Sequence, residues 1–126
     1  AVIDDLPDQR GRIINMGSVL SARGVPDQTA YCAAKHAVLG YTRALAQALA
    51  PRGITVNCIC PGWVETDMAH QRAKEMDVDV AALAAHVPLG RCLTPDEIAA
   101  CAVWLSSDAA RNVTGQGIFL DGGVTA

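Results

Sequence analysis

Ile54-Thr55-Val56-Asn57-Cys58-Ile59-Cys60, stopped at once by Pro61-Gly62, is a run of β-branched and apolar residues without a charge in it. Such a run reads as a strand buried on both faces, the condition of a strand inside a parallel sheet. Immediately upstream, Thr29 to about Arg52 changes to a helical pattern. Ala34, Val38, Tyr41, Leu45 and Leu49 follow steps of four and three along one helix face. Ala30, Ala33, Ala37, Ala44 and Ala48 fill much of the rest. A helix apolar nearly all round is expected to be buried on more than one side. One side would meet the sheet, and the other a further helix, from a second subunit for example. Pro51 and Gly53 end it.

Further upstream, Arg12-Ile13-Ile14-Asn15-Met16, closed by Gly17, is another short strand-like run. Residues 1–11, with Pro7 and Gly11, read as a frayed helix end and a loop. Residues 18–28 carry loop chemistry in Ser18, Ser21, Gly24, Pro26 and Asp27. Downstream, residues 63–93 are the least regular part, and Met68–Val87 has helical composition with weak periodicity. Thr94-Pro95-Asp96-Glu97 is a helix start: a Thr cap, Pro in the first helical position and Glu three residues after the Thr. Ile98, Cys101, Ala102 and Leu105 make that helix's inner stripe, with Trp104 also expected in the core. Gly117-Ile118-Phe119-Leu120-Asp121 reads as a last strand. Strands alternating with helices require crossovers, so the fold class is α/β, with a parallel sheet covered on both faces and right-handed connections.

Composition narrows the function. The chain has 126 residues, 51% hydrophobic and 18% charged, which suits one packed domain and not a disordered chain. A net charge of -3 argues against a surface that neutralises phosphates, so no nucleic acid partner is expected. No run reaches the about 18 apolar residues of a membrane helix, and no basic segment precedes an apolar one at the N-terminus. Neither a membrane span nor a secretory signal is therefore expected. Aromatic residues are only 4%, so the core is built from small side chains. The first residue, Ala1, is not a methionine, and a processed chain or a piece of a longer one is expected.

Cys32, Cys58, Cys60, Cys92 and Cys101 are odd in number and contain no Cys-x-x-Cys pair. That argues against a disulfide framework and for a reducing, cytoplasmic setting. Cys58 and Cys60 lie two apart and would point the same way on a strand. Without partners they read as small core residues and not as a metal site. His36, His70 and His86 show no metal spacing, and Asn57 reads as a structural hydrogen bonder. Trp63 and Met68 would either touch substrate or fill the underside of the irregular segment.

The chemistry concentrates in Ser18, Tyr31 and Lys35. Tyr31 and Lys35 stand four apart at the start of the long helix, on one face. An ammonium beside a phenol favours the phenolate, which makes Tyr31 a candidate general acid/base for a hydroxyl proton. A Tyr-x-x-x-Lys pair alone is commonly a surface pair. Here it follows a strand end, a serine and a loop, and Ser18 lies just past the carboxyl end of a parallel strand, where open α/β sheets place their sites. The serine hydroxyl there would hydrogen-bond a substrate oxygen.

These residues fall into an ordered set of segments: Gly11-Arg12-Ile13-Ile14-Asn15-Met16-Gly17-Ser18, Tyr31-Cys32-Ala33-Ala34-Lys35, Gly53-Ile54-Thr55-Val56-Asn57 and Pro61-Gly62-Trp63-Val64-Glu65-Thr66-Asp67-Met68. Pro95-Asp96-Glu97-Ile98-Ala99 and Leu120-Asp121-Gly122-Gly123 follow. The set resembles the short-chain dehydrogenase/reductase family from about residue 11 to the end, with the serine 13 residues before the tyrosine. In look it is nearest the 3-oxoacyl-[acyl-carrier-protein] reductase branch. The resemblance implies a Rossmann-type fold and hydride transfer between NADP or NAD and a carbonyl or secondary alcohol. It implies that Tyr31, Lys35 and Ser18 are catalytic, with Lys35 also holding the nicotinamide ribose. Pro61, Gly62, Val64 and Thr66 would line the nicotinamide, Trp63 would border the substrate, and residues 63–93 would form a lid.

The family's chain is about twice as long, and its Gly-rich phosphate turn has no counterpart here. Gly115-Gln116-Gly117 precedes a strand where that turn must precede a helix. The expectation is that residues 1–126 are the C-terminal part of a single Rossmann-type domain, ordered strand-helix-strand-lid-helix-strand. A homodimer or homotetramer is implied for the full-length protein. The alternative is a truncated, non-catalytic remnant acting only in subunit association.

Overall fold

The computed structural model describes residues 2–126. Three strands, β1 (Arg12–Met16), β2 (Thr55–Pro61) and β3 (Gly117–Leu120), alternate with four helices. These are α1 (Thr29–Leu49), α2 (Asp67–Glu75), α3 (Val80–Ala84) and α4 (Pro95–Ser106). The sheet order is β1-β2-β3 and both pairings are parallel. In register, Ile13 lies beside Val56 and Ile14 beside Asn57, while Ile59 lies beside Ile118 and Cys60 beside Phe119.

The period of two sorts these residues onto two faces. On one face, Ile54 and Val56 pack with Ala46 and Leu49 of α1, and Cys58 and Cys60 pack with Leu39. On the other, Ile59 packs with Leu105 of α4 and Ala110, joined by Ile14, Ile98, Cys101, Ala102 and Ile118. The central strand is therefore covered on both sides, as its uncharged run requires, and all of Thr55–Cys60 is buried. Thr94 and Glu97 form the expected capping box, with Pro95 opening α4.

Four expectations need correction. Residues 2–10 form turns and no helix end, and Arg52 ties them down by donating to the carbonyls of Ile3 (3.1 Å) and Leu6 (2.6 Å). Ala1 lies outside the described residues. The buried stripe of α1 is Cys32, Leu39, Thr42, Ala46 and Leu49, one step round from the face the sequence suggested. Ala34 and Tyr41 are exposed, and the helix is buried on one side within this chain, so its small-residue face stays open. The polar Thr42 decides the rotation, because its hydroxyl donates to Val38 O (2.8 Å) and accepts from Asn15 Nδ2 (2.9 Å), leaving no unpaired group inside. Trp104 is 42% exposed, on the outer side of α4 and away from the core. Finally, Asp121 lies beyond β3 in a turn.

Asn57 does structural work, as its sequence context suggested. Its side chain donates to Val113 O (2.7 Å) and accepts from Gln116 N (3.1 Å), clamping the turn that feeds β3.

Candidate active site

β1 and β2 end side by side, and the residues of interest follow their carboxyl ends. Gly17 N donates to Ile59 O at 2.7 Å, which carries the first connection tightly across the sheet. A Cβ on Gly17 would stand 2.7 Å from Cys58 Sγ and 2.8 Å from both Cys60 Sγ and Ser21 Oγ, so only glycine fits. Ser18 is then held as the cap of a short 3-10 turn (Val19–Ser21). Its Oγ accepts from Leu20 N at 3.2 Å, and its backbone N donates to Ser21 Oγ at 3.1 Å. A hydroxyl that accepts one bond still has its own proton to donate.

Tyr31 and Lys35 rise from the first two turns of α1, and Lys35 Nζ lies 5.5 Å from the Tyr31 ring centroid. The ammonium also donates to Met16 O at 3.0 Å, which binds α1 to the carboxyl end of β1 two residues before Ser18. Tyr31 is 38% exposed and therefore open to a small molecule. One proton of the ammonium is spent on the sheet end and two remain for other acceptors.

The segment after β2 completes the candidate site. Gly62 N donates to Leu120 O at 2.8 Å, and a Cβ there would come within 3.0 Å of Asp121. Trp63 and Glu65 bond Leu93 through Leu93 N to Trp63 O and Glu65 N to Leu93 O, both 2.8 Å, and Val64 bridges Leu93 in parallel. The Thr66 hydroxyl donates to Val64 O (3.3 Å) and caps α2 by accepting from Ala69 N (3.4 Å). Trp63 packs on the separate small core of residues 63–93, formed by Ala69, Ala73, Leu83 and Cys92, while Met68 is 71% exposed.

Sequence reasoning gave no role to Asp121, which anchors this end of the sheet. It is buried and accepts from Gly123 N (2.9 Å), Thr125 N (3.0 Å) and Thr125 Oγ1 (2.5 Å). Burial alone would raise its pKa. The Thr125 hydroxyl and the surrounding backbone amides outweigh that and hold it below the ordinary aspartate value. Its only sequence signal was the Asp-Gly-Gly turn composition.

Cys58 and Cys60 point the same way, with Sγ atoms 3.7 Å apart in the α1-facing core. Cys60 donates to Cys58, which lowers the Cys58 thiol against the opposing effect of burial, and the same contact together with burial raises Cys60. All five cysteines are free thiols. Among the described residues, no group of three or more His, Cys, Asp or Glu is placed to hold a metal ion. Nor, among the same residues, is any helix long and apolar enough to cross a membrane.

The chain and its parallel sheet have counterparts among known proteins. The family model described as enoyl-(acyl carrier protein) reductase matches residues 1–125. The 3-oxoacyl-[acyl-carrier-protein] reductase FabG of Vibrio harveyi is 45% identical over 114 residues, covering 90% of this chain and 46% of that protein. A short chain dehydrogenase family protein of Francisella tularensis superposes with a TM-score of 0.85 at 32% identity, over 94% of this chain and 52% of that one. A Beutenbergia cavernae protein, solved with NADP bound at low occupancy, superposes with a TM-score of 0.82 at 44% identity, over 92% of this chain and 46% of that one. The chain belongs to the short-chain dehydrogenase/reductase family. It spans about half the length of the curated relatives it matches.

Proposed function

We propose that this chain carries the reacting half of an NAD(P)-dependent oxidoreductase that interconverts a carbonyl and a secondary alcohol. The carrying observation is the position of Lys35 Nζ, 5.5 Å from the Tyr31 ring and bonded to Met16 O at the end of β1. That position fixes a cation beside the tyrosine ring. Tyr31 gives its proton to the carbonyl oxygen in reduction and takes it back in oxidation. Ser18 donates its remaining proton to the same oxygen and orients it. Bound nicotinamide supplies or accepts the hydride.

The residues present fit the nicotinamide end of such a cofactor. Lys35 keeps two donors for the ribose, and Pro61, which ends β2, would line the nicotinamide with Gly62, Val64 and Thr66 of the segment that follows. They do not fit its pyrophosphate. Gly115-Gln116-Gly117 leads straight into β3, with Gly117 as that strand's first residue, so no helix N-terminus follows to face a phosphate.

The sheet supports the domain reading. Among the described residues β1 pairs only with β2, and its outer edge leaves backbone groups unpaired. We read residues 1–126 as the C-terminal part of one Rossmann-type domain, whose further strands would cover that edge and bring the phosphate site. The exposed small-residue face of α1, with Ala37, Gly40, Tyr41 and Ala44, suits contact with a second subunit in a dimer or tetramer. Five free thiols support a cytoplasmic setting.

The test is Tyr31→Phe in the full-length protein, assayed by consumption of NADPH or NADH with a 3-oxoacyl thioester, the substrate class named by relatives. Turnover should fall by about 10²–10⁴, the worth of a positioned acid/base, with circular dichroism unchanged. Retained turnover would reject Tyr31 as the proton donor.

A further inference from the structure

The irregular segment after β2 folds as its own small unit. α2 and α3 enclose a core of Ala69, Ala73, Leu83 and Cys92, separate from the three clusters on the sheet. Little apolar contact therefore holds α2 to the body of the molecule. One polar cluster crosses the gap. Arg72, at mid-length on α2, pairs through Nη2 with Asp27 Oδ2, in the loop before α1. The Gln28 amide oxygen, turned toward the guanidinium as its donors require, accepts from Arg72 Nε at 3.0 Å and Nη2 at 3.2 Å. Nη1 is held by Glu75 Oε2 at 3.0 Å within α2. All three guanidinium nitrogens are engaged, and the Arg72 side chain is only 21% exposed.

The far end of this cluster is mechanically placed. Gln28 is the N-cap of α1, yet its side chain caps nothing in the helix. Its carbonyl accepts the helix's first bond, from Cys32 N at 2.8 Å. Tyr31 follows three residues later, so a pull on residues 27–28 acts on the turn that presents the phenol. A flat guanidinium fork with three fixed directions suits this task better than a lysine point charge.

We infer that Arg72, Asp27 and Gln28 form a clasp that holds the lid helix α2 against the N-terminus of the Tyr31 helix. Arg72 and Asp27 are thereby positioning residues for substrate. This rests on the proposed oxidoreductase reading, but the clasp has a readout of its own. Because the Asp27 carboxylate is 56% exposed, the pair contributes little to global stability. Its effect is local, on how often α2 lifts away.

The experiment compares Asp27→Asn, Asp27→Glu, Arg72→Gln and Glu75→Gln in the full-length protein. Amide hydrogen exchange of residues 67–76 should quicken about two- to fivefold in Asp27→Asn and Arg72→Gln, the range for loss of an exposed pair. Asp27→Glu should restore most of the protection. Glu75→Gln, which breaks only the bond within α2, should leave it near wild type. In the same variants KM for a 3-oxoacyl thioester should rise by a similar factor, with kcat changed less, the pattern of lost substrate binding. Unchanged exchange in Asp27→Asn overturns the clasp. Faster exchange with unchanged KM overturns the positioning role and leaves a structural tie. If the unmodified full-length protein consumes neither NADPH nor NADH with this substrate, the oxidoreductase reading fails, while the exchange data still decide the clasp.

Discussion

Lys35 Nζ donates to the main-chain carbonyl of Met16 at 3.0 Å, across 19 residues of sequence. The bond joins the first turns of α1 to the end of β1, so the strand that leads to Ser18 and the helix that carries Tyr31 share one cation. Replacing Lys35 by Met removes both the charge beside the phenol and the tie to the sheet. Turnover of the full-length protein should fall by about 10²–10⁴, and KM for the dinucleotide should rise. Lys35→Arg keeps a charge but replaces a compact ammonium with a planar fork, and should recover only part of the loss. Steady-state consumption of NADPH or NADH measures both.

A second expectation concerns the glycine ahead of Ser18. Gly17→Ala would push a methyl group to within 2.7 Å of Cys58 Sγ and 2.8 Å of Cys60 Sγ, both fully buried. Overpacking of this kind costs about 1–3 kcal/mol, read as a lower midpoint in denaturant unfolding. Removing a sulfur opens space, so Gly17→Ala with Cys60→Ala should be less destabilised than the two separate losses added together. Strict additivity would mean that the methyl group is accommodated elsewhere.

The sheet was legible because each strand is a short, largely apolar run, with β1 and β2 closed by glycine or proline, and α4 because Thr94-Pro95-Asp96-Glu97 spells a cap. The nearness of Tyr31 and Lys35 was legible too, since a spacing of four on a helix guarantees it. The bond from Lys35 to Met16 was not, being tertiary. The facing of α1 was misread for a definable reason. Alanine and glycine on nearly every side leave the hydrophobic pattern almost without a preferred direction. The choice fell to Thr42, a polar residue whose burial depends on bonds to Asn15 and Val38 that no local pattern announces. Trp104 shows the opposite error, because a large apolar side chain alone does not have to point inward. Asp121 was read as the end of the last strand, although it lies beyond β3 and its buried carboxylate organises the following turn by accepting from its backbone.

Asn57 offers a test of buried polar pairing. Asn57→Ala leaves Val113 O and Gln116 N without the partners they now have at 2.7 and 3.1 Å. Each orphaned group costs about 1–3 kcal/mol, so a loss of about 2–6 kcal/mol is expected in chemical denaturation. Faster amide exchange at 113–117 should accompany it, because that turn is what the side chain holds. Leucine in its place should be no better, since its shape fills the space but answers neither group.

Glu97 gives a pH dependence with a definite sign. Its carboxylate accepts from Arg91 Nη2 (2.7 Å) and Nη1 (2.8 Å) and from Thr94 N (2.9 Å). Arg91 first, and the cap amide second, hold its pKa down to about 2 from an ordinary 4.5. A carboxyl lowered on folding stabilises the native state above its unfolded value, and that contribution is lost as pH falls through the folded one. The Glu97→Gln variant keeps a side chain that can still cap α4 but cannot titrate. Wild type should therefore exceed the variant in thermal midpoint by a steady margin near neutral pH. The margin should shrink between about 4.5 and 2 and vanish below, and added salt should reduce it throughout because the pair is solvent-exposed. A margin that grew on acidification would show that the Arg91 pair does not form in the native protein.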